Sequence, residues 1–165
     1  PQGRAGEQMS FVQLADAKLH LRVDGTDEDA LIGVYITAAE QMAIALLDRG
    51  VYADGTALGA ARAAAPAELT AATVTYTEAI AAAQALTDAT EQAAATQAAE
   101  YAYLRAQVAY RQAMDGIVVN DVIKSAVLLI VGHLYAHRED VVAGVSVAKL
   151  PNGAEWLLAP YKVYA

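Results

Sequence analysis

The feature that most limits the fold of this chain is a long stretch from Val51 to Asp115 that consists largely of Ala, Thr, Gln and Glu. Alanine has the highest helix propensity of all residues, so the stretch is predicted to be helical. Its one proline, Pro66, is tolerated in the first turn of a helix. We therefore predict a short helix before Pro66 and a long helical segment after it.

The spacing Asp88-Ala89-Thr90-Glu91 within this stretch is typical of a capping box, which marks the start of a helix. It favours a helical hairpin, although a single long helix remains open. The later half, from Glu100 to Met114, is richer in large side chains, and there Tyr101, Leu104 and Val108 share one helical face. The earlier half has mostly alanine to bury, which gives little hydrophobic stabilisation.

Before this stretch, residues 10–23 have the pattern of a short amphipathic helix, and Asp24-Gly25 ends it. Thr26 or Asp27 can cap a second helix that runs to Gly50. That helix has two apolar stripes, which predicts two neighbours, and the sequence does not say which stripe faces the core. The first stripe consists of Leu31, Val34, Tyr35, Ala38, Met42 and Ala45, and the second of Ile32, Ile36, Ala39, Ala43 and Leu47.

After the stretch, Ile117 to Val119 are predicted to be extended, and Asn120 caps a helix that ends near Glu139. Because this helix is apolar on nearly every side, we expect it to be central, with Leu129 in the core. The fold class is thus all-α: a small helical bundle with a long Ala-rich helical insertion at 51–115. We expect one domain over 1–165, with a flexible leader at 1–9 and no signal peptide.

The end of the chain differs from the rest. From Val145 to Leu150, apolar and polar residues alternate as in a short strand. Pro151-Asn152-Gly153 is a turn sequence, and the residues from Ala154 to Ala159 are predicted to form one helical turn. Pro160 ends that turn, and we expect an extended tail with no place in the core. Residues 145–165 are therefore predicted to be a C-terminal arm.

Composition and motifs argue against most chemical functions. The net charge of −8 and the lack of a Lys/Arg cluster argue against binding to nucleic acid phosphates, and no cysteine is present. His133 and His137 are four residues apart, as in a metal site, but no third ligand is evident. The acidic group at Asp24, Asp27, Glu28 and Asp29 lacks the spacing of an EF-hand loop and is better explained by helix capping. We expect no catalytic residue, no metal, no cofactor and no membrane span.

Two blocks resemble the head-tail connector (adaptor) proteins of HK97-type long-tailed phages and related gene-transfer particles. The first is LADAKLHLRVDGTDEDALIGVYITAAE, from Leu14 to Glu40. The second is IKSAVLLIVGHLYAHREDVVAG followed by LPNGAEWLLAPYKVY, from Ile123 to Tyr164. Members of the family often have a shorter connection between these blocks, so the role of the segment from Val51 to Asp115 is open.

The resemblance implies a virion structural protein of the neck, at the head-tail interface, made in the host cytoplasm. Its subunits form a homo-oligomeric ring, typically a dodecamer, beneath the portal protein and above stopper or tail-terminator proteins. DNA passes through the channel without sequence-specific binding. By resemblance, the portal-binding residues are Leu150, Trp156, Leu157, Tyr161 and Tyr164.

A ring subunit needs two complementary patches, because a repeated heterologous contact can close on itself. We assign Ile32, Ile36 and Ala39 to the subunit interface, together with Arg138 and Glu139 from the charged end of the central helix. One alternative is a small helical scaffold or regulatory protein that dimerises through its Ala-rich helices. The other, which we rank last, is an enzyme that uses the histidine pair as a metal site.

Overall fold

A computed structural model describes residues 10–137 and 153–163 of the chain. The described residues form two compact units, one of residues 10–54, 117–137 and 153–163 and the other of residues 55–116. We call them the bundle unit and the hairpin unit. The elements in chain order are α1 (Leu14–Leu21), α2 (Asp29–Leu47), β1 (Val51–Tyr52), α3 (Gly55–Gln84), α4 (Ala89–Met114), β2 (Ile117–Val118), α5 (Asp121–Ala136), α6 (Ala154–Leu158) and a 3-10 turn (Ala159–Tyr161).

The core of the bundle unit lies between α2 and α5, with α1 and α6 packed against them. The fully buried side chains include Ile32 and Leu47 from α2 and Ile123, Val127 and Val131 from α5. Their spacing in each helix places them on one face, which is why these two helices pack together. The prediction of an all-α fold is confirmed.

α5 begins where the sequence predicts, because the side chain of Asn120 accepts a hydrogen bond of 3.0 Å from the backbone N–H of Ile123. The helix is not buried on every side, however. Leu129 is 40% exposed, so its assignment to the core was wrong. A run of apolar residues does not by itself show that all of them are covered.

Two short strands, β1 and β2, pair in parallel, with Val51 beside Ile117 and Tyr52 beside Val118. The extended conformation of Ile117 and Val118 was predicted, whereas that of Val51 and Tyr52 was not. The pair joins the two points of the bundle unit between which the hairpin unit is inserted in the sequence.

A buried carboxylate holds the segment before α1. Oε1 of Glu40 accepts hydrogen bonds from the backbone N–H groups of Phe11 and Val12, at 2.9 and 3.0 Å, and from the hydroxyl of Ser10 at 2.9 Å. Phe11 and Val12 are buried although they precede α1, which begins only at Leu14.

α2 has 19 residues and a mean hydropathy of 1.7, which by length and composition alone would suit a membrane-spanning helix. Here it packs as a core helix against α1, α5 and α6. It begins at Asp29, and Glu28 at its N-cap makes no side-chain capping bond, so the predicted cap by Thr26 or Asp27 was wrong. The hydroxyl of Tyr135 instead donates to the Glu28 carboxylate, and Lys18 pairs with Asp29 at 2.6 Å. Two members of the acidic group, Glu28 and Asp29, thus have partners within the protein.

The hairpin unit consists of α3 and α4, packed antiparallel along their length. Asp88 caps α4 as predicted, since its Oδ1 accepts from the N–H groups of Thr90 and Glu91 at 2.8 and 2.9 Å. The side chain of Arg62, near the start of α3, donates to the carbonyl of Gly116 at 3.1 Å, beyond the end of α4. The insertion is therefore a hairpin and not a single rod.

Pro66 lies inside α3, which runs without a break from Gly55 to Gln84, so the predicted helix boundary at this proline was wrong. Proline in a helix interior removes one hydrogen bond and costs about 3 kcal/mol. The alanines on both sides favour the helix strongly enough to continue it.

Candidate protein-docking sites

The C-terminal segment is attached to the bundle unit by one buried side chain and two hydrogen bonds. Leu158 of α6 is 2% exposed. The N–H of Val163 donates to the carbonyl of Leu47 at 3.0 Å, and the guanidinium of Arg49 donates to the carbonyl of Tyr161 at 3.2 Å. The expectation that the tail from Pro160 has no place in the core was therefore wrong for the described part of it.

This attachment determines which predicted portal-binding residues are accessible. Trp156 is 64% exposed, although it lies two residues from the buried Leu158. Leu157 and Tyr161 are partly buried and pack against the core. Leu150 and Tyr164 lie outside the described residues, as does the predicted strand from Val145 to Leu150. Trp156 is thus the large aromatic side chain that this segment offers to another protein.

The residues of α2 that we assigned to a subunit interface are buried and cannot contact another subunit. Ile32, Ile36 and Ala39 are 0%, 4% and 0% exposed and lie in the core of their own subunit. The open stripe of α2 is the other one, where Val34 is 63% and Met42 48% exposed. Burial of the second stripe leaves the first, with Val34 and Met42, as the one available to a neighbour. Arg138 and Glu139 lie outside the described residues.

The hairpin unit carries a second exposed apolar surface. Tyr101, Leu104 and Val108 on α4 are 65%, 57% and 43% exposed. The sequence indicated that these residues form one stripe, and the structure shows that the stripe does not face α3. We call it the α4 stripe.

α3 and α4 meet across small side chains and a pair of tyrosine rings. Tyr76 and Tyr103 stack with 4.9 Å between ring centroids and an interplanar angle of 21°. Hydrogen bonds from the side chains of Thr73 and Gln107 hold the pKa of the Tyr103 hydroxyl below its usual value. Beside these rings lies a groove of about 310 Å³ lined mainly by alanines.

Another cleft, of about 410 Å³, lies in the bundle unit between α1 and the first turns of α5. It is lined by both apolar and polar side chains, among them Leu19, His20, Asp121 and Lys124. Leu19 is 81% exposed, and Nε2 of His20 lies 3.2 Å from the position that a Cβ on Gly132 would occupy. His20 therefore fills space next to this glycine.

His133 and His137, which have the sequence spacing of a metal site, lie close together, with 4.8 Å between their ring centroids. Within residues 10–137 and 153–163, no group of three or more His, Cys, Asp or Glu side chains is placed to hold a metal ion. The exposed aromatic and apolar side chains, in contrast, are of the kind that bind other proteins.

Comparisons with curated proteins and with solved structures found no match. A family model described as phage gp6-like head-tail connector protein matches residues 11–162, which include both the bundle unit and the hairpin unit. The match covers nearly all of the chain, and it agrees with the resemblance of the two sequence blocks. The chain therefore belongs to the phage gp6-like head-tail connector family, whose members are structural proteins of the virion at the head-tail interface.

Proposed function

We propose that the chain is one subunit of a ring that lies beneath the portal of a tailed phage. The ring joins the head to stopper or tail-terminator proteins, and DNA passes through its channel. The subunit is made in the host cytoplasm and assembles into the neck of the particle. A dodecamer is the copy number that the resemblance implies.

The observation that best supports this proposal is the exposure of the Trp156 side chain on α6. Aromatic side chains, Trp above all, dominate the binding energy of many protein interfaces. Trp156 is 64% exposed on a short helix whose last residue, Leu158, is buried in the core. An anchor on a segment that is already ordered loses less conformational entropy on binding than one on a free chain. Trp156 is therefore well suited to enter a pocket of the portal.

The remaining portal contacts belong to the same segment and stay proposals. Leu157 and Tyr161, which are partly buried against the core, would contribute what remains exposed of them, and Leu150 and Tyr164 would extend the contact on either side. Arg138 and Glu139 are proposed to form ion pairs between subunits, which are worth little individually when exposed to solvent.

The charge of the chain suits a channel through which DNA moves. A surface that binds DNA without sequence preference does so through clustered Lys and Arg side chains. This chain has 11 such residues against 19 Asp and Glu, with a net charge of −8. DNA can pass such a surface without being held.

The test is binding of the full chain to purified portal rings from the same phage, with cryo-electron microscopy of the particle neck. We expect wild-type protein and Trp156→Phe to bind and Trp156→Glu to lose binding by at least tenfold, with unchanged circular dichroism. If Trp156→Glu binds like the wild type, Trp156 is not the anchor. If the neck contains no density for the chain, the proposed function is wrong.

A further inference from the structure

We propose that neighbouring copies of this chain contact each other through the hairpin unit, with the α4 stripe of one copy inserted into the groove of the next. This contact would close the ring of the proposed function, and in that respect the inference rests on it. The partner is a second copy of the chain because one hairpin carries both halves of the contact.

The two halves lie on opposite faces of α4. At 3.6 residues per turn, Tyr101, Leu104 and Val108 lie within about 60° of one another around the helix. Ala99, Ala102 and Tyr103, which line the groove, are centred about 180° from them. A copy that uses its stripe on one side therefore still has its groove free on the other. This is the arrangement that a heterologous, repeating contact requires.

The shapes of the two surfaces are complementary. The stripe consists of large side chains that stand out from the helix at positions i, i+3 and i+7, which form a ridge. The groove is lined by the small side chains of Ala72, Ala79, Ala99 and Ala102, beside the rings of Tyr76 and Tyr103. A ridge of large residues packs into a groove of small ones when two helices approach closely. The groove, of about 310 Å³, has room for a leucine or tyrosine side chain.

The charges beside the two surfaces are also complementary. Arg105 lies four residues after Tyr101 and three before Val108, so it is on the edge of the stripe. Glu68 lies four residues before Ala72 and seven before Thr75, in line with the groove. Both side chains are exposed, and neither has an ion-pair partner within the described part of the chain. A neighbouring copy can supply each with its opposite charge.

The contact is small for a protein–protein interface. α4 has 26 residues, and a helix of that length is about 39 Å long and about 10 Å wide, so one face covers roughly 400 Å². A typical stable interface buries about 800 Å² per partner. The contact between a single pair should therefore be weak, and assembly should depend on protein concentration.

A mixing experiment with two full-length variants tests this contact. Leu104→Glu disables the stripe, and Ala102→Arg fills the groove, while each variant keeps the other half of the contact. In sedimentation velocity at high protein concentration, we expect wild-type oligomers, monomers for each variant alone, and dimers but nothing larger for an equimolar mixture. The dimer forms because the intact stripe of one variant meets the intact groove of the other.

Val74→Glu provides a matched control, because Val74 is a similarly exposed apolar residue, at 52%, on the side of α3 away from the groove. This variant should assemble like the wild type, and all variants should have wild-type helical content. The inference is overturned if the wild type stays monomeric at the highest concentration attainable, if either variant assembles normally, or if the mixture gives no dimer. If a ring is seen in the neck while both variants still assemble, the inference fails and the proposed function stands.

Discussion

Glu40 offers the sharpest test of how the bundle unit is held together. The residue is 7% exposed, and its carboxylate accepts hydrogen bonds from two buried backbone N–H groups, those of Phe11 and Val12. Glu40→Ala removes the acceptor and leaves both groups without a partner. Each buried, unsatisfied polar group costs about 1–3 kcal/mol, so we expect a loss of about 2–6 kcal/mol. That is a large part of the 5–15 kcal/mol by which domains are typically stable.

Glu40→Gln is the matched variant, because its amide oxygen can occupy the position of Oε1 and accept the same bonds. It loses only the additional strength of a charged acceptor, which we expect to be about 1 kcal/mol. Asp24→Ala removes an exposed carboxylate from the same unit and should change the stability by less than about 0.5 kcal/mol. The three variants therefore separate the loss of the acceptor from the loss of charge.

The free energy of unfolding is measured by urea denaturation followed by circular dichroism, and exchange of the Phe11 and Val12 amide hydrogens by NMR. Glu40→Ala should lower the melting temperature by roughly 4–24 °C, at about 2–4 °C per kcal/mol for a chain of this size. Both amides should exchange faster than in Glu40→Gln. A cost below about 1 kcal/mol for Glu40→Ala, or unchanged exchange, would show that this carboxylate does not hold the segment before α1.

Three further outcomes are expected. Ile32→Glu places a charge in the core and should lower the free energy of unfolding by more than about 3 kcal/mol, whereas Val34→Glu on the open stripe should lower it by less than about 0.5 kcal/mol. Equal losses of the circular dichroism signal in the two variants would contradict the burial of Ile32. Asp88→Ala removes the cap of α4 and should lower the stability by about 0.5–2 kcal/mol in urea denaturation, with faster amide exchange at the start of α4. Thr73→Val removes a hydrogen bond to the Tyr103 phenolate and should raise the pKa of Tyr103 towards its ordinary value, as followed by NMR of the tyrosine rings. Because folding lowers the pKa of Tyr103, the hydrogen bond stabilises the hairpin more as the pH rises through the pKa of the folded state. An unchanged titration of Tyr103 in Thr73→Val would show that Thr73 does not bond the phenolate.

The sequence predicts most helices because their signals are local. The caps at Asp88 and Asn120 depend on a side chain and the backbone two or three residues later, and both are present. The pairing of β1 with β2 joins residues far apart in the sequence, and two residues are too few for a strand pattern. Pro66 misled the prediction because the helix propensity of its neighbours exceeded the cost of one proline.

The docking surfaces were predictable only in part. Periodicity showed that α2 has two apolar stripes, but which one is buried depends on where α5 packs. The choice of Ile32 and Ile36 as interface residues failed for that reason, since both are in the core. Trp156 was identified from the family resemblance, and its exposure could not be read from its neighbours. The α4 stripe was visible in the sequence, but its orientation away from α3 was not.

The pairing of β1 with β2 has a consequence for how such a protein can change over time. Paired strands lie about 4.8 Å apart, so the chain returns to the bundle at Ile117 close to the point, at Tyr52, where it left. Insertions or deletions of whole helical turns between these points need not disturb any contact of the bundle core. The hairpin can therefore be lengthened or shortened without any change in the residues that fold the bundle.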